Sequence, residues 1–305
     1  MKHNGGVRVR FAPSPTGHLH IGSLRTALFN WLFARHHKGA YLVRIEDTDT
    51  LRSKQDYVSS IFDILEWVQL MPDEPIQTQS EHMQEHKKVL ERLLEEDKAY
   101  RCYCSDDDLK SRHPDEPFLR YDNFCRNRKD QPHNASYVVR FKIPSDVRQV
   151  AFDDLIRGRV AFERSLLDDF VIARSDGRPV YNFVVVVDDA ESKITHVIRG
   201  EDHISNTPKQ ILLYRACGYA VPSFAHIPLI LGPSGDRLSK RDGAVSVLSY
   251  KELGYLPDAL LNYLVRLGWA HGDQEIFTRE ELVSLFTLDA VGKKGAVFDI
   301  EKLNK

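Results

Sequence analysis

No apolar run in this chain approaches the ~18–20 residues that a membrane-spanning helix needs, which excludes that class of protein. A secretory signal core is lacking too: Met1-Lys2-His3-Asn4-Gly5-Gly6 leads straight into a short alternating segment. The expectation from these two absences is a cytoplasmic protein with no membrane partner. Charge of one sign is also missing. The 42 Lys+Arg and 44 Asp+Glu leave a formal charge of -2, which excludes nucleic-acid binding by bulk charge but not by a local basic face. There is no internal repeat and no low-complexity tract. With 42% hydrophobic and 28% charged residues, disorder as the main state and a fibrous chain are both excluded. Cysteine is scarce, at four residues in 305.

What is present fits about two domains at ~150 residues each, with at least one sizeable core. Val7, Val9 and Phe11 alternate with Arg8 and Arg10, which predicts a strand over 7–11. A loop follows through Pro13-Ser14-Pro15-Thr16-Gly17. Ser23 is placed to cap a helix whose apolar positions Leu24, Ala27, Leu28, Trp31 and Leu32 keep helical spacing. Tyr41 to Ile45 reads as the next strand. Strand, loop, helix and strand within ~40 residues is the size of one βαβ unit, so an α/β fold with a parallel sheet is predicted.

Helices are expected over 53–68, over 80–97 opened by Ser80, after Thr207 with Pro208 at the first position and Gly218 past the end, over 257–267, and from Thr278, where Glu281 completes a capping box. Residues 168–189 read as a hairpin turning at Ser175-Asp176-Gly177, with Phe183–Val187 as a buried strand. Between Tyr100 and about Asp154 the pattern breaks, as in an insertion. Cys102, Cys104 and Cys125 lie there within 24 residues, a clustering that points to a metal more than to a disulfide. Cys217 stands alone in a helical stretch and reads as packing. Residues 110–142 carry eight Lys/Arg against four acids; taken alone, that reads as solvated surface.

The loop after the first strand delivers His20, Gly22 and Ser23 to a helix N-terminus. Unpaired N–H groups and partial positive charge there favour phosphate. His20 can donate to charge developing on a phosphate, and Gly22 lets a flat base approach the backbone.

The string Pro13 to Ser23 resembles the first signature of class I aminoacyl-tRNA synthetases, in the form of the glutamyl branch. Further strings agree in order: Arg44-Ile45-Glu46-Asp47-Thr48-Asp49, Val187-Asp188-Asp189, Val197 to His203, and Arg237-Leu238-Ser239-Lys240-Arg241. The resemblance runs from residue 7 to residue 303. It implies a bacterial-type glutamyl-tRNA synthetase, which joins ATP and L-glutamate to glutamyl-adenylate and then moves the glutamyl group to the terminal ribose of tRNA-Glu. The implied fold is a Rossmann-like parallel-sheet catalytic domain at 1–99 and 183–236, an inserted α+β acceptor-binding domain at 100–182, and a mobile basic loop with a helical stem-contact region at 237–305. A monomer is expected. The final amphipathic stretch, Phe298 to Lys305, reads as a cut chain, and a piece of that kind is expected to bind ATP and glutamate but handle tRNA poorly.

The same resemblance implies roles. His20, Gly22, Ser23, Asp202, Arg237, Ser239, Lys240 and Arg241 would face ATP and its Mg2+. His20 and Lys240 would neutralise the leaving pyrophosphate, a task of positioning and charge rather than of general-base chemistry. Ser23 stands where many class I enzymes have a second His, and Arg237 where the family has its first Lys. Arg10, Ser14, Glu46, Tyr181, Arg199 and His203 would hold glutamate, the arginines taking carboxylates and Glu46 the ammonium. Val185 falls where some relatives carry a polar residue. Glutamate is favoured over glutamine, because an amide would leave the charge of a buried Arg10 unmatched. Cys102, Cys104, Tyr121 and Cys125 match the ligands of a structural Zn2+ site seen among glutamyl-type enzymes. Asn127 stands where other relatives use His, and His113 and His133 remain open as ligands. The nearest alternative is the shorter glutamyl-queuosine tRNA-Asp synthetase. The stretch 253–303 resembles a stem-contact region that the shorter enzyme lacks.

Overall fold

The computed structural model describes residues 6–48, 53–114, 120–130, 132, 135–236, 238 and 246–304. The first unit is β1 (Arg8–Phe11), α1 (Ile21–His36) and β2 (Ala40–Ile45), with β1 and β2 parallel and Arg8 opposite Ala40. After α2 (Gln55–Trp67), the two-residue β3 (Gln77–Thr78) extends this sheet in parallel. A 3-10 turn (Gln79–His82) then precedes α3 (Met83–Glu95), so the helix opens later than Ser80. Asp47 holds that turn, accepting from Ser80 N (2.9 Å) and Ser80 Oγ (2.6 Å).

The middle of the chain holds β4 (Ala99–Cys102), α4 (Asp106–Arg112), β5 (Val138–Phe141), the hairpin β6 (Gln149–Asp154) and β7 (Gly158–Glu163), and β8 (Val171–Ala173). Strands β4, β5 and β8 form an antiparallel sheet. Next come α5 (Tyr181–Glu191), β9 (His196–Gly200), α6 (Thr207–Cys217) and β10 (Ser223–Ile227). The β6–β7 hairpin joins the second parallel sheet, in the order β7-β6-β10-β9, with Phe224 opposite Asp154. Thr195 N–H donates to Arg8 O (2.9 Å), so the start of β9 lies against β1. The chain closes with β11 (Ile230–Leu231), α7 (Val247–Glu252), α8 (Pro257–Arg266), α9 (Arg279–Leu285), β12 (Ala296–Val297) and α10 (Ile300–Leu303). The Thr278–Glu281 capping box is present at α9. Among the described residues no helix is long and apolar enough to cross a membrane.

Two expectations need correction. Residues 183–187 form no strand: only β8 of the expected hairpin is extended, and after the turn at Gly177 (φ +79°) the chain enters α5. Phe183 to Asp189 are all buried, and a short apolar run buried on every side carries no period to separate strand from helix. Ser23 is not the cap of α1. The helix begins at Ile21, and the His20 side chain caps it, Nδ1 accepting from Ser23 N–H (3.2 Å). Helix α1 is buried on nearly all its faces, between β1 and β2 on one side and α8 and α9 on the other. That burial fixes the direction in which its N-terminus points.

Candidate active site

The first loop, the ends of β2 and β9, and the start of α5 enclose one cavity of about 1300 Å³. Every described residue expected to face ATP or glutamate lines it: Arg10, Ser14, His20, Gly22, Ser23, Glu46, Tyr181, Arg199, Asp202 and His203. Arg237, Ser239, Lys240 and Arg241 lie outside the described residues. Their chain neighbours Leu238 and Ser246 both border the cavity, and Ser246 bridges to His20.

At the α1 end, His20 Nδ1 accepts from a backbone N–H, so the proton of the neutral ring sits on Nε2. Ser23 Oγ, 3.1 Å away, therefore accepts from Nε2 and keeps its own proton to donate. Gly22 makes room for this ring, since a Cβ there would stand 3.1 Å from His20 Cε1 and Nδ1. Gly200 has a similar part on the opposite wall: a Cβ would come within 2.5 Å of Asp202 Oδ1.

The floor of the cavity is a buried charge network. Arg10 Nε donates to both oxygens of Asp189 (3.0 and 3.1 Å), and Arg44 Nη1 donates to the same carboxylate (2.6 Å). Arg44 Nη2 reaches Glu46 Oε1 (3.1 Å). Asp188 accepts from Gln79 Nε2 (2.7 Å) and faces His86 Nε2 at 2.5 Å. Burial opposes ionisation of Asp189, but Arg10 and Arg44 outweigh it and hold its carboxyl below the usual range. Glu46 goes the other way, because burial pushes its carboxyl up against the pull of Arg44 and Arg10. A ligand ammonium beside Glu46 would restore the charge that burial disfavours.

Arg199 is buried, and burial with the nearby Arg10 charge lowers its pKa. Its Nε and Nη2 are engaged, while Nη1 is buried with no hydrogen-bond partner. Such an orphaned donor is costly, and a ligand carboxylate would satisfy it. Burial, then the Arg199 charge, lowers the His203 pKa to about 4, so this ring is neutral beside Tyr181, whose hydroxyl lies 3.3 Å from His203 Nδ1.

Cys102, Cys104 and Cys125 form a separate cluster, their sulfurs all within 4.8 Å of one another. Cys104 and Cys125 Sγ are 3.6 Å apart, and the Tyr121 hydroxyl oxygen accepts from Cys102 Sγ (3.3 Å) and from Cys125 N–H (2.9 Å). Sulfurs sharing a tetrahedral Zn2+ at ~2.3 Å would be ~3.8 Å apart, so the donor set fits that ion. His113 turns to Asp122 instead (3.4 Å), and His133 lies outside the described residues. Cys217 is buried in α6, as expected of a packing residue, with its thiol pushed up to about 11 by burial.

The basic excess of 110–142 is largely engaged within the fold. Arg112 pairs with Asp122, Arg126 with Asp169, Arg128 with Asp130 and Lys142 with Asp97. Arg140 donates to Asp169 O (2.8 Å) with its guanidinium 3.6 Å over the Tyr121 ring. The composition reading, a solvated surface, did not show these pairings.

Several residues at or under the cavity carried no expectation. Arg174, Arg178 and Asn206 line it; Asp154, Thr207 and His226 lie behind it. Arg44, Asp188 and Asp189 stood in noticed strings without a role. The available signal was charge inside strand or apolar segments, which must be paired when buried.

The family described as "tRNA synthetases class I (E and Q), catalytic domain" matches residues 6–305. The glutamate–tRNA ligase of Thermodesulfovibrio yellowstonii is 57% identical over 302 residues, covering 97% of this chain and 64% of that protein. Glutamate–tRNA ligase 1 of Coxiella burnetii (strain RSA 493 / Nine Mile phase I) is 54% identical over 309 residues, covering 99% of this chain and 65% of that protein. A crystal structure of a glutamate tRNA ligase from Elizabethkingia meningosepticum in complex with its amino acid superposes with a TM-score of 0.89 at 38% identity, covering 98% of this chain and 68% of that one. The chain thus spans 64–65% of the length of these curated relatives.

Proposed function

Because the chain belongs to the class I tRNA synthetase family of the E and Q branch, through its catalytic domain, we propose that it is the catalytic part of a glutamate–tRNA ligase. It takes L-glutamate and ATP as its Mg2+ complex, forms glutamyl-adenylate, and in the complete protein passes the glutamyl group to the terminal ribose of tRNA-Glu. The observation that carries this reading is the set of charges in one cavity: buried Arg10 and Arg199 for carboxylates and Glu46 for an ammonium, beside the His20-capped start of α1.

In the first step a glutamate carboxylate oxygen attacks the α-phosphorus of ATP and pyrophosphate leaves. No side chain need take a proton; the work is alignment and charge neutralisation. Arg199 Nη1 and the outer face of Arg10 hold carboxylates, Ser14 and Tyr181 border the side chain, and Glu46 holds the ammonium. The Ser23 hydroxyl and the α1 amides face the phosphates, His20 Nε2–H exchanging Ser23 Oγ for a phosphate oxygen, with Gly22 and Asp202 toward the adenosine. Lys240, with Arg237, Ser239 and Arg241, would neutralise the pyrophosphate; Lys240 is two residues along the chain from Leu238 on the cavity rim. A charge arriving late favours the transition state over the ground state.

Residues 1–99 and 183–236 make up the ATP- and glutamate-binding body, 100–182 the acceptor-binding insertion and 237–305 the loop and stem-contact region. In the insertion, Cys102, Cys104, Tyr121 and Cys125 would hold Zn2+, which would staple that small unit and take no part in the reaction. The protein acts as a monomer in the cytoplasm.

Glutamate-dependent ATP–pyrophosphate exchange, measured with and without tRNA-Glu, tests the reading. Exchange that requires glutamate and is raised by tRNA-Glu is the expected result. Exchange supported by glutamine in place of glutamate would contradict it. Full exchange with no tRNA would favour the tRNA-Asp-modifying alternative.

A further inference from the structure

The guanidinium of Arg199 is planar, and an arginine has only donors to offer. Fixing two of its nitrogens therefore fixes where the third one points. Nη2 donates to Thr207 Oγ1 (2.8 Å), and Nε donates to His226 Nε2 (3.2 Å). For that second bond His226 Nε2 must be an unprotonated acceptor. It also lies 3.1 Å from Thr207 Oγ1, whose own proton can point to it. An imidazole with its proton on Nε2, or an imidazolium, would set donor against donor at the Arg199 contact, since a guanidinium cannot accept.

The other ring nitrogen decides which form exists. His226 Nδ1 lies 2.5 Å from Asp154 Oδ2, while Asp154 Oδ1 accepts backbone N–H groups from Ile156 (3.0 Å), Arg157 (2.8 Å) and His226 itself (3.2 Å). Both side chains are 0% exposed. A carboxylate so placed takes Nδ1–H and leaves Nε2 bare, the logic by which a buried Asp orients a neutral His elsewhere.

We propose that Asp154 and His226 are positioning residues for the amino-acid site: Asp154 holds His226 as the Nδ1–H tautomer, and His226 turns Arg199 so that Nη1 meets the ligand carboxylate. Asp154 belongs to the β6–β7 hairpin, which the sequence places in the 100–182 insertion but which pairs with β10. The insertion thus supplies one member of a relay that ends at the glutamate site. Burial and the Arg199 charge keep the His226 pKa below its ordinary value despite Asp154, in keeping with a neutral ring. The inference rests on the cavity being an amino-acid site, as proposed above.

The test is equilibrium dialysis of this chain with radiolabelled glutamate and, separately, with ATP. Asp154→Asn and His226→Leu are expected to lose glutamate affinity by about 10- to 100-fold, the scale of a hydrogen bond to a charged group, with ATP affinity unchanged. His226→Gln, whose Oε1 can accept from Arg199, is expected to recover most of the loss. Glutamate binding unchanged in Asp154→Asn and His226→Leu would overturn the proposal. So would a parallel loss of both ligands, which marks a merely structural pair. Imidazole ¹⁵N shifts of His226 in the ligand-free protein give an independent reading. A bare Nε2 with Nδ1–H supports the proposal, and Nε2–H or an imidazolium overturns it. If the unmodified chain binds ATP but no glutamate, the functional reading fails by itself, and the tautomer decides the positioning pair alone.

Discussion

The cavity and the cysteine cluster are organised in opposite ways. The cavity is tied by contacts distant in sequence: Arg8 to Thr195 spans 187 positions, Arg10 to Asp189 spans 179 and Arg44 to Asp189 spans 145. Its charges are buried under two large apolar cores, and Arg10 and Arg44 are already paired with Asp189 before any ligand arrives. The cysteine unit draws its buried residues from a short stretch: Tyr100, Cys102, Leu109, Tyr121 and Cys125. So few residues cannot supply the burial that orders an independent unit, which is where a metal staple is needed. One site is preorganised by the fold, and the other would be completed by the Zn2+ proposed for it.

Substitutions that attack one region and spare the other test this contrast. The largest effect is expected from Asp189→Asn, which strips the partner from two buried arginines. Breaking a buried pair from one side costs about 3–5 kcal/mol, read as a lower denaturation midpoint, and the zinc content of folded protein should not change. Next is Cys125→Ser, which should abolish zinc binding by atomic emission and leave ATP affinity intact. A concurrent loss of ATP binding would mean that the regions are not separable.

Glu46→Gln is expected to weaken glutamate by at least ~10-fold, as for loss of a charge-assisted bond, with ATP binding unaltered. The sign of its pH dependence follows. Glu46 must be ionised to hold an ammonium, and burial raises its pKa. Glutamate affinity should therefore fall on acidification, beginning above the ordinary carboxylate range, and this step should vanish in Glu46→Gln. The smallest effect is expected from Gly22→Ala. Its Cβ would press on the His20 ring at 3.1 Å, a displacement of a few tenths of an ångström that should weaken ATP several-fold, on the order of 1 kcal/mol, and leave glutamate unaltered.

How much of this was readable beforehand follows the same division. His20 and Gly22 sit at a strand–helix turn whose chemistry is legible locally, whereas Arg10, Glu46 and Arg199 were assigned through the family resemblance, Glu46 and Arg199 from within strings that carry it. The α/β class was equally local, carried by the first strand–helix–strand unit. Asp154 and His226 are 72 positions apart, and nothing in either neighbourhood announces the other. The run Phe183–Val187 misled because β-branched residues buried on all sides suit a strand and a core helix alike. Ser23 misled because His20, three residues earlier, offered an acceptor of its own. The basic stretch 110–142 read as solvated surface in part because two of its acidic partners, Asp97 and Asp169, lie outside that window.

Hydrogen exchange of the protein with and without a zinc chelator tests the central contrast most directly. On removal of the ion, amides of β4, α4 and β5 should exchange much faster while those of β1, β2, α5 and β9 keep their protection. Equal loss of protection in both regions, or no change around Cys102 and Cys125, would contradict it.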